Sequence, residues 1–541
     1  MPIAIGGGYQ SGRLHPWPPS PPPPPDGWTA PTPSADTRQI YWSTSGSDSN
    51  DGADEQHPVR SAARVKDLAT PGKPDHIRPK RGDVWTNENI GEWTRAGAPL
   101  SGRGPDEPMC IYPYGSGALP RFNTGIGSLF QYTGNGNLHD VVLLSIDWDP
   151  HTYTGNNGSP SLAIVTGPAD RILIEGCRAN RGRWGVRLAP FGRDRIRDVV
   201  IRRCTLLDGR TSDVGGGSAI DVRYTDGLIV EECHIDAWGT TTSHHGISAD
   251  WSSTEVGARK NVISRCRGTG IRLPCGGVFD QNVLLQLGRM VEFGGQSSEG
   301  IPGGVPVVML GNLLIEGRNY FTGGNPAAGI AAVGYNLSSA TIADNIITQN
   351  TGTNPFGFVL DANQGAQQGA AVLHNVTLLR NKMFKWGGQR SLWINAQNFV
   401  GQPLNLANMR IESCDLQEPD LTTGYLGYIA HNSAETLAQI AELNCRLFRG
   451  GSDNAFHIVN LGDRTLAQWK SALGDTTSAA TDCRSIWPTE ALTIGDYHGS
   501  VGGTATTQGF IDACRLQTRD AWDVDLTAAE VLSDFVAAFA G

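Results

Sequence analysis

One six-residue pattern recurs along the middle of this chain and constrains everything else. It reads "ILIEGC" ending at Cys177, "VVIRRC" at Cys204, "LIVEEC" at Cys233 and "NVISRC" at Cys266. Asn then takes the last place in "GVFDQN" (Asn282), "VVMLGN" (Asn312), "ATIADN" (Asn345) and "VTLLRN" (Asn381), before Cys returns in "MRIESC" at Cys414. Intervals run from 27 residues (Cys177 to Cys204) to 36 (Asn345 to Asn381), with one short step of 16 from Cys266 to Asn282. Each unit holds two or three short apolar runs with period-two alternation, separated by Gly, Asn or Asp. Such a unit cannot bury its own apolar face, but a stack of them can, through a continuous interior and a parallel backbone ladder. The expected fold is all-β: a right-handed parallel β-helix over about residues 125 to 450, with Cys177, Cys204, Cys233, Asn282, Asn312 and Asn345 stacked in one interior column. The ten cysteines are scattered singly, without a C-x-x-C pair, and read as buried thiols.

An open β-helix exposes a strand edge, which invites aggregation. The stretch "IYWSTSGSDSNDGADEQHPVRSAARV", Ile40 to Val65, supplies a strand, a polar loop and a short helix to cover it. With "RGDVW" (Arg81 to Trp85) and "EPMCIYPYGSGALPRF" (Glu107 to Phe122), it resembles the leader of right-handed β-helix proteins of the phage-tailspike and polysaccharide-lyase type. The segment His244 to Asn282 is similar to the middle of β-helix proteins from bacteria and phages. The resemblance spans roughly residues 38 to 420. It implies a polysaccharide ligand and leaves the reaction open, because this fold carries lyases, hydrolases, epimerases and plain binders.

The two ends differ from the middle. Residues 1–35 contain "HPWPPSPPPPPDGWTAPTP", a stiff polyproline tract; the expectation is a tether joining the body to other virion tail proteins. Residues 36–124 read as the capping region and first coils, and residues 451–541 as a C-terminal capping or oligomerisation region. There, "LTAAEVLSDFVAAFAG" reads as an amphipathic helix with Val531, Leu532, Phe535, Val536 and Phe539 on one face. Thr527 and Glu530 have capping-box spacing, and the expected role is a cap on the last coil or a homotrimer contact.

Net charge is −10, which argues against a nucleic-acid binder. No apolar run is long enough to span a membrane. The first residues lack a basic start followed by an apolar core, so the expectation is synthesis in a host cytoplasm and residence in a virion tail, with extracellular secretion as the alternative. "SGSDSNDGAD" lacks EF-hand spacing and reads as a turn; no cofactor or metal is expected.

Candidate chemistry follows from strand alternation. The inward pairs Val186/Leu188, Ile220/Val222, Ile247/Ala249, Ile271/Leu273 and Val291/Phe293 leave Arg187, Asp221, Ser248, Arg272 and Glu292 facing out, with Arg223 and Asp250 beside them. Asp221 and Glu292 would lie three rungs apart, roughly 14 Å. Asp221 and Asp250 fall on neighbouring rungs about 8 Å apart, within the range of an inverting glycosidase. Asp221 and Asp250 are therefore the expected acid/base pair, with Arg187, Arg223, Ser248, Arg272 and Glu292 as glycan contacts. For a lyase, His244 or Lys260 is the candidate base and Arg272 the group that neutralises a uronate. The same alternation also suits an ordinary solvated sheet face. Three functions fit: a tailspike-like or fibre-like phage protein that binds a bacterial surface polysaccharide, with or without depolymerising it; a secreted polysaccharide lyase or glycoside hydrolase; and a non-catalytic structural or adhesive β-helix.

Overall fold

The computed structural model describes residues 27–192, 194–210, 216–241, 243–294, 304–318, 330–349, 356–361, 372–387, 389–395, 406–430, 434–451, 454–487 and 492–540. The Pro-rich segment before residue 27, expected to act as a tether, lies outside them.

Among the described residues the strands form three long sheets of 16, 13 and 14 strands, parallel except for the closing pair Phe456–Ile458 and Gly462–Arg464. Each coil lends one strand to each sheet in turn; Ala169–Glu175, Arg178–Asn180 and Trp184–Leu188 make one coil. The next coil stacks in register: Ile172 pairs with Val199, Ala179 with Leu206 and Val186 with Ile220. This is the parallel β-helix expected from the repeat, with the right hand that parallel crossovers take.

The repeating hexamer ends at the corner between the first and second sheets. The residue before each Cys or Asn is left-handed: Gly176 (φ 64°), Arg203 (51°), Glu232 (53°), Gln281 (54°), Gly311 (58°) and Asp344 (57°). This conformation costs an ordinary residue roughly 1 kcal/mol, and it drives the next side chain into the interior. The Asn amides then hydrogen-bond up the stack, Asn282 Nδ2 to Asn312 Oδ1 at 2.9 Å and Asn312 Nδ2 to Asn345 Oδ1 at 2.9 Å, and all three are fully buried. Cys266 is not in this column. Asn261, preceded by left-handed Lys260, takes its place and donates to Asn282 Oδ1 at 3.0 Å. The 16-residue step disappears accordingly, because the column runs Cys233, Asn261, Asn282.

At the N-terminal end, strand Gln39–Trp42 pairs with His76–Pro79, and helix Ala62–Leu68 buries Ala62, Val65 and Leu68 against it. Ser61 caps that helix through the Arg64 N–H. At the other end the last coil is covered by helix Leu466–Leu473, whose Trp469 stacks on Phe456 at 4.9 Å.

The terminal helix, Ala528–Ala538, is not a cap on the last coil. It packs sideways on the outer face of the second sheet, where Val262, Val283, Leu285, Leu313, Ile315, Ile346 and Phe384 share a core with Val531, Leu532, Phe535 and Phe539. Val536 is 55% exposed and lies off that face. Thr527 is the N-cap residue but its hydroxyl donates to the Val524 carbonyl, so the expected capping box does not form. The C-terminal segment reaches the N-terminal coils: Arg515 pairs with Asp208 and Asp236, Arg81 with Asp520, and Arg519 donates to the Thr29 carbonyl. Trp28 and Trp522 meet edge to face at 5.4 Å. Among the described residues no helix is long and apolar enough to cross a membrane.

Candidate functional site

The predicted outward stripe is one register column of the third sheet. Arg187 pairs with Asp221, Asp221 with Ser248, Ser248 with Arg272 and Arg272 with Glu292. Strand pairing therefore brings these five side chains together on successive rungs about 4.8 Å apart.

An open cleft of about 370 Å³ lies over the lower part of this column. Arg183, Arg187, Asp221, Arg223, His245 and Arg272 line it, with Trp184 as a wall. The Arg187 guanidinium sits 4.0 Å from the centre of the Trp184 ring, and that of Arg183 sits 4.7 Å from it. Arg187 Nε is 3.7 Å and Arg223 Nε 4.0 Å from Asp221 Oδ2, so both ion pairs stop short of hydrogen-bond contact. Arg187 Nε is buried and has no hydrogen-bond partner among the described residues. Burial raises the Asp221 carboxyl above its ordinary range, and Arg223 and Arg187 oppose that rise only in part. The same burial lowers the Arg187 guanidinium. Four guanidiniums and one carboxyl thus line the cleft of a protein whose net charge is −10.

The other expected residues have different fates. Asp250 follows strand Ile247–Ala249, and its carboxylate accepts the Ser252 N–H at 3.1 Å as well as the Ser252 hydroxyl. Its own N–H donates to the Val222 carbonyl, which sets it beside Arg223 at the edge of the sheet. Ser248 is buried to 7% exposure in the floor. Glu292 is in the column but is only 2% exposed, held by Arg272 at 3.2 Å and by Arg289. Those two cations hold its pKa down against burial; Glu292 serves as an internal counter-ion and not as an open glycan contact.

His244 is corrected by its neighbour. The His244 ring is fully buried, and its Nδ1 accepts the N–H groups of Thr240 and Thr241 at 3.1 Å, so it cannot act as a base on a bound ligand. His245 lines the cleft instead. The Thr269 N–H donates to His245 Nδ1 at 2.9 Å, and burial, helped by Arg272, lowers the ring pKa to about 3. The ring is therefore neutral near pH 7 with its proton on Nε2, a donor and not a base. Lys260 occupies the corner of the Asn column, away from the cleft. Arg183 and Trp184 were not singled out from sequence, although "RGRWGVRL" carries both at the start of the Arg187 strand. Among the described residues no group of three His, Cys, Asp or Glu is arranged to hold a metal ion.

No protein-family model matches the sequence, and neither does any curated protein. Solved structures do match. The A-module of a mannuronan C-5 epimerase from Azotobacter vinelandii is 12% identical, with a TM-score of 0.40 over 75% of this chain and 91% of that one. The N-terminal fragment of gene product 12 of bacteriophage Phi29 is 13% identical, with a TM-score of 0.41 over 74% and 66%. The tailspike of the E. coli bacteriophage HK620, solved with a hexasaccharide, is 10% identical, with a TM-score of 0.37 over 79% and 76%. At these identities and TM-scores the likeness says nothing of activity, and the parallel β-helix rests on the strand pairing of this chain itself.

Proposed function

We propose that the protein binds an anionic polysaccharide in the third-sheet cleft and cleaves it, with Asp221 as the general acid. One observation carries this reading: Asp221 is a carboxyl raised by burial, and the two arginines facing it stop at 3.7 and 4.0 Å. Inside a cleft, that spacing leaves room for a third group between the guanidiniums and the carboxyl. Arginine forks match a sugar carboxylate. A carboxyl that holds its proton closer to neutral pH is suited to protonate a leaving glycosidic oxygen.

In this reading Arg187 and Arg223 seat the acidic group and Nε2–H of His245 donates to a sugar hydroxyl. Asp221 protonates the departing oxygen, and Asp250, on the neighbouring rung, draws the proton from the attacking water, with inversion at the anomeric carbon. The setting we propose is a phage tail, with a bacterial surface polysaccharide as target, supported by the leader motifs and the Pro-rich segment of the sequence. In that setting the chain is a homotrimer joined to other tail proteins through residues 1–35.

The test is oligosaccharide release from hexuronate-containing capsular polysaccharides. Asp221→Asn should lower cleavage by about 10³-fold while thermal unfolding stays where it is. A wild type that binds but releases nothing would leave a non-catalytic binder; a cleaving wild type whose rate survives Asp221→Asn would remove Asp221 from the chemistry.

A further inference from the structure

We infer that the glycan crosses the third sheet, perpendicular to the coil axis, and leaves the cleft over two exposed aromatic rings, Trp251 and Phe191. This rests on the cleft being the glycan site and specifies how a polymer lies in it.

Along the axis toward the C-terminal coils, the path is closed. Glu292 is locked between Arg272 and Arg289, and the next members of the column, Val333 and Val359, are 0% and 4% exposed within an apolar cluster with Tyr335 and Phe356. In the other direction the column passes to Ile164, which has no polar group to offer a sugar.

Across the sheet, the path is open and marked at both sides. One mouth is polar: Ser159, Gly216 and Ser243 line it ahead of the strands. Beyond the strands, the Arg223 N–H donates to the Leu188 carbonyl and the Asp250 N–H to the Val222 carbonyl, which puts Arg223 and Asp250 side by side, two residues past the column. Trp251 follows Asp250 and is 43% exposed; Phe191, three residues past Leu188 on the Arg187 coil, is 70% exposed. Neither ring lines the cleft itself; both stand just past the ends of strands that cross it, and large apolar rings left in solvent there need a reason. The faces of pyranose rings are apolar while their edges are polar, so a sugar lying across arginines and a carboxyl presents its face to these rings. Strand Ile220–Val222 with the residues that flank it, Ser218 to Arg223, spans up to about 17 Å if extended throughout, which makes the crossing long enough for a chain of several sugars.

The experiment measures binding of a panel of hexuronate-containing capsular polysaccharides, each beside its carboxyl-reduced form, with melting temperature as the fold control. For a polymer that binds, Trp251→Ala should weaken binding at least about 10-fold and Phe191→Ala less. Trp251→Phe should restore most of the loss, because it returns a stacking face. Leu516→Ala, an exposed apolar residue on the C-terminal segment, should change nothing. Binding that survives both Trp251→Ala and Phe191→Ala but is lost in Arg187→Gln would overturn the transverse path and keep the cleft. Failure of the wild type to bind any member of the panel would overturn the cleft as a glycan site, and this inference with it.

Discussion

The outward column of the third sheet has two halves built on the same strands and spacing. Its lower rungs carry Arg187, Asp221, Ser248, Arg272 and Glu292; its upper rungs carry Val333, Val359, Trp393, Tyr428 and His457. Both halves contain arginines that lack a close carboxylate, yet they are satisfied differently. In the upper half, Arg390 lies 3.7 Å from the centre of the Tyr428 ring and 4.4 Å from that of Trp393, and Tyr428 stacks on His457 at 4.8 Å and 9°. His457 in turn pairs with Asp463 at 2.8 Å. The rings spend their faces on one another and on the cation, although Trp393 Nε1 is buried without a hydrogen-bond partner among the described residues. In the lower half, Arg187 also lies over a ring, Trp184 at 4.0 Å, but it and Arg223 in addition face a carboxyl they do not reach. A surface arginine therefore points to a ligand only where its own neighbours stop short of it.

Buried carboxyls give the largest expected effect. Glu418 and Glu442 in the upper coils are 2% and 3% exposed, and burial raises both to about 7. Glu418 accepts from the Gly387 N–H and the Ser391 hydroxyl; Glu442 accepts from Trp469 Nε1, with Asp475 raising it further and Lys470 opposing. A raised carboxyl favours the fold while protonated, so its contribution is fully present below the unfolded value near 4.5 and is lost as pH rises through about 7. Denaturant unfolding should show stability falling by a few kcal/mol across that window, and Glu442→Gln should flatten much of the slope. A flat profile in the wild type would mean these carboxyls are solvated.

Next in size, the double change Arg187→Gln with Arg223→Gln should cut binding of an anionic polymer by roughly 30-fold, leave unfolding unchanged and weaken the salt dependence of whatever binding remains. Retained affinity would place the two halves of the column on an equal footing. Smallest is Tyr428→Ala, which should cost roughly 1 kcal/mol of stability through lost ring and cation contacts and leave polymer binding untouched. Lost binding in that variant would extend the glycan site into the upper half.

Much of this was legible because a coil repeats its constraints. Alternation fixed which of Val186, Arg187 and Leu188 faces out, and the hexamer fixed the neighbouring strand, so the column Arg187 to Glu292 could be read before any coordinates. Cys266 misled because "NVISRC" has the hexamer's composition one strand too late; Arg265 is left-handed as well, but it is the corner after the second-sheet strand Val262–Ser264, and the corner of the column lies at Lys260. His244 and His245 sit in an irregular loop where alternation does not hold, so sequence could not say which ring faces inward. The lateral docking of the terminal helix had a signal that went unread. Second-sheet strands such as Val283-Leu284-Leu285 and Leu313-Leu314-Ile315 are apolar on both faces, as strands covered on both sides must be. Glu292 shows the remaining limit: outward in register does not mean accessible, because Arg272 and Arg289 close over it.

The return of residues 483–540 along the second sheet also has a consequence for how the molecule is made. Coils can form in order as the chain emerges, each templating the next, but the outer face of strands such as Val262–Ser264 and Val283–Leu285 stays bare until the closing segment is synthesised. The contacts Arg519 to Thr29 and Arg81 to Asp520 join residues 490 and 439 positions apart. The coils thus depend on near neighbours, whereas the seam along the second sheet depends on residues synthesised last. A chain cut short near residue 480 would carry every coil and the whole cleft, and would still expose that seam to its neighbours in a crowded cell.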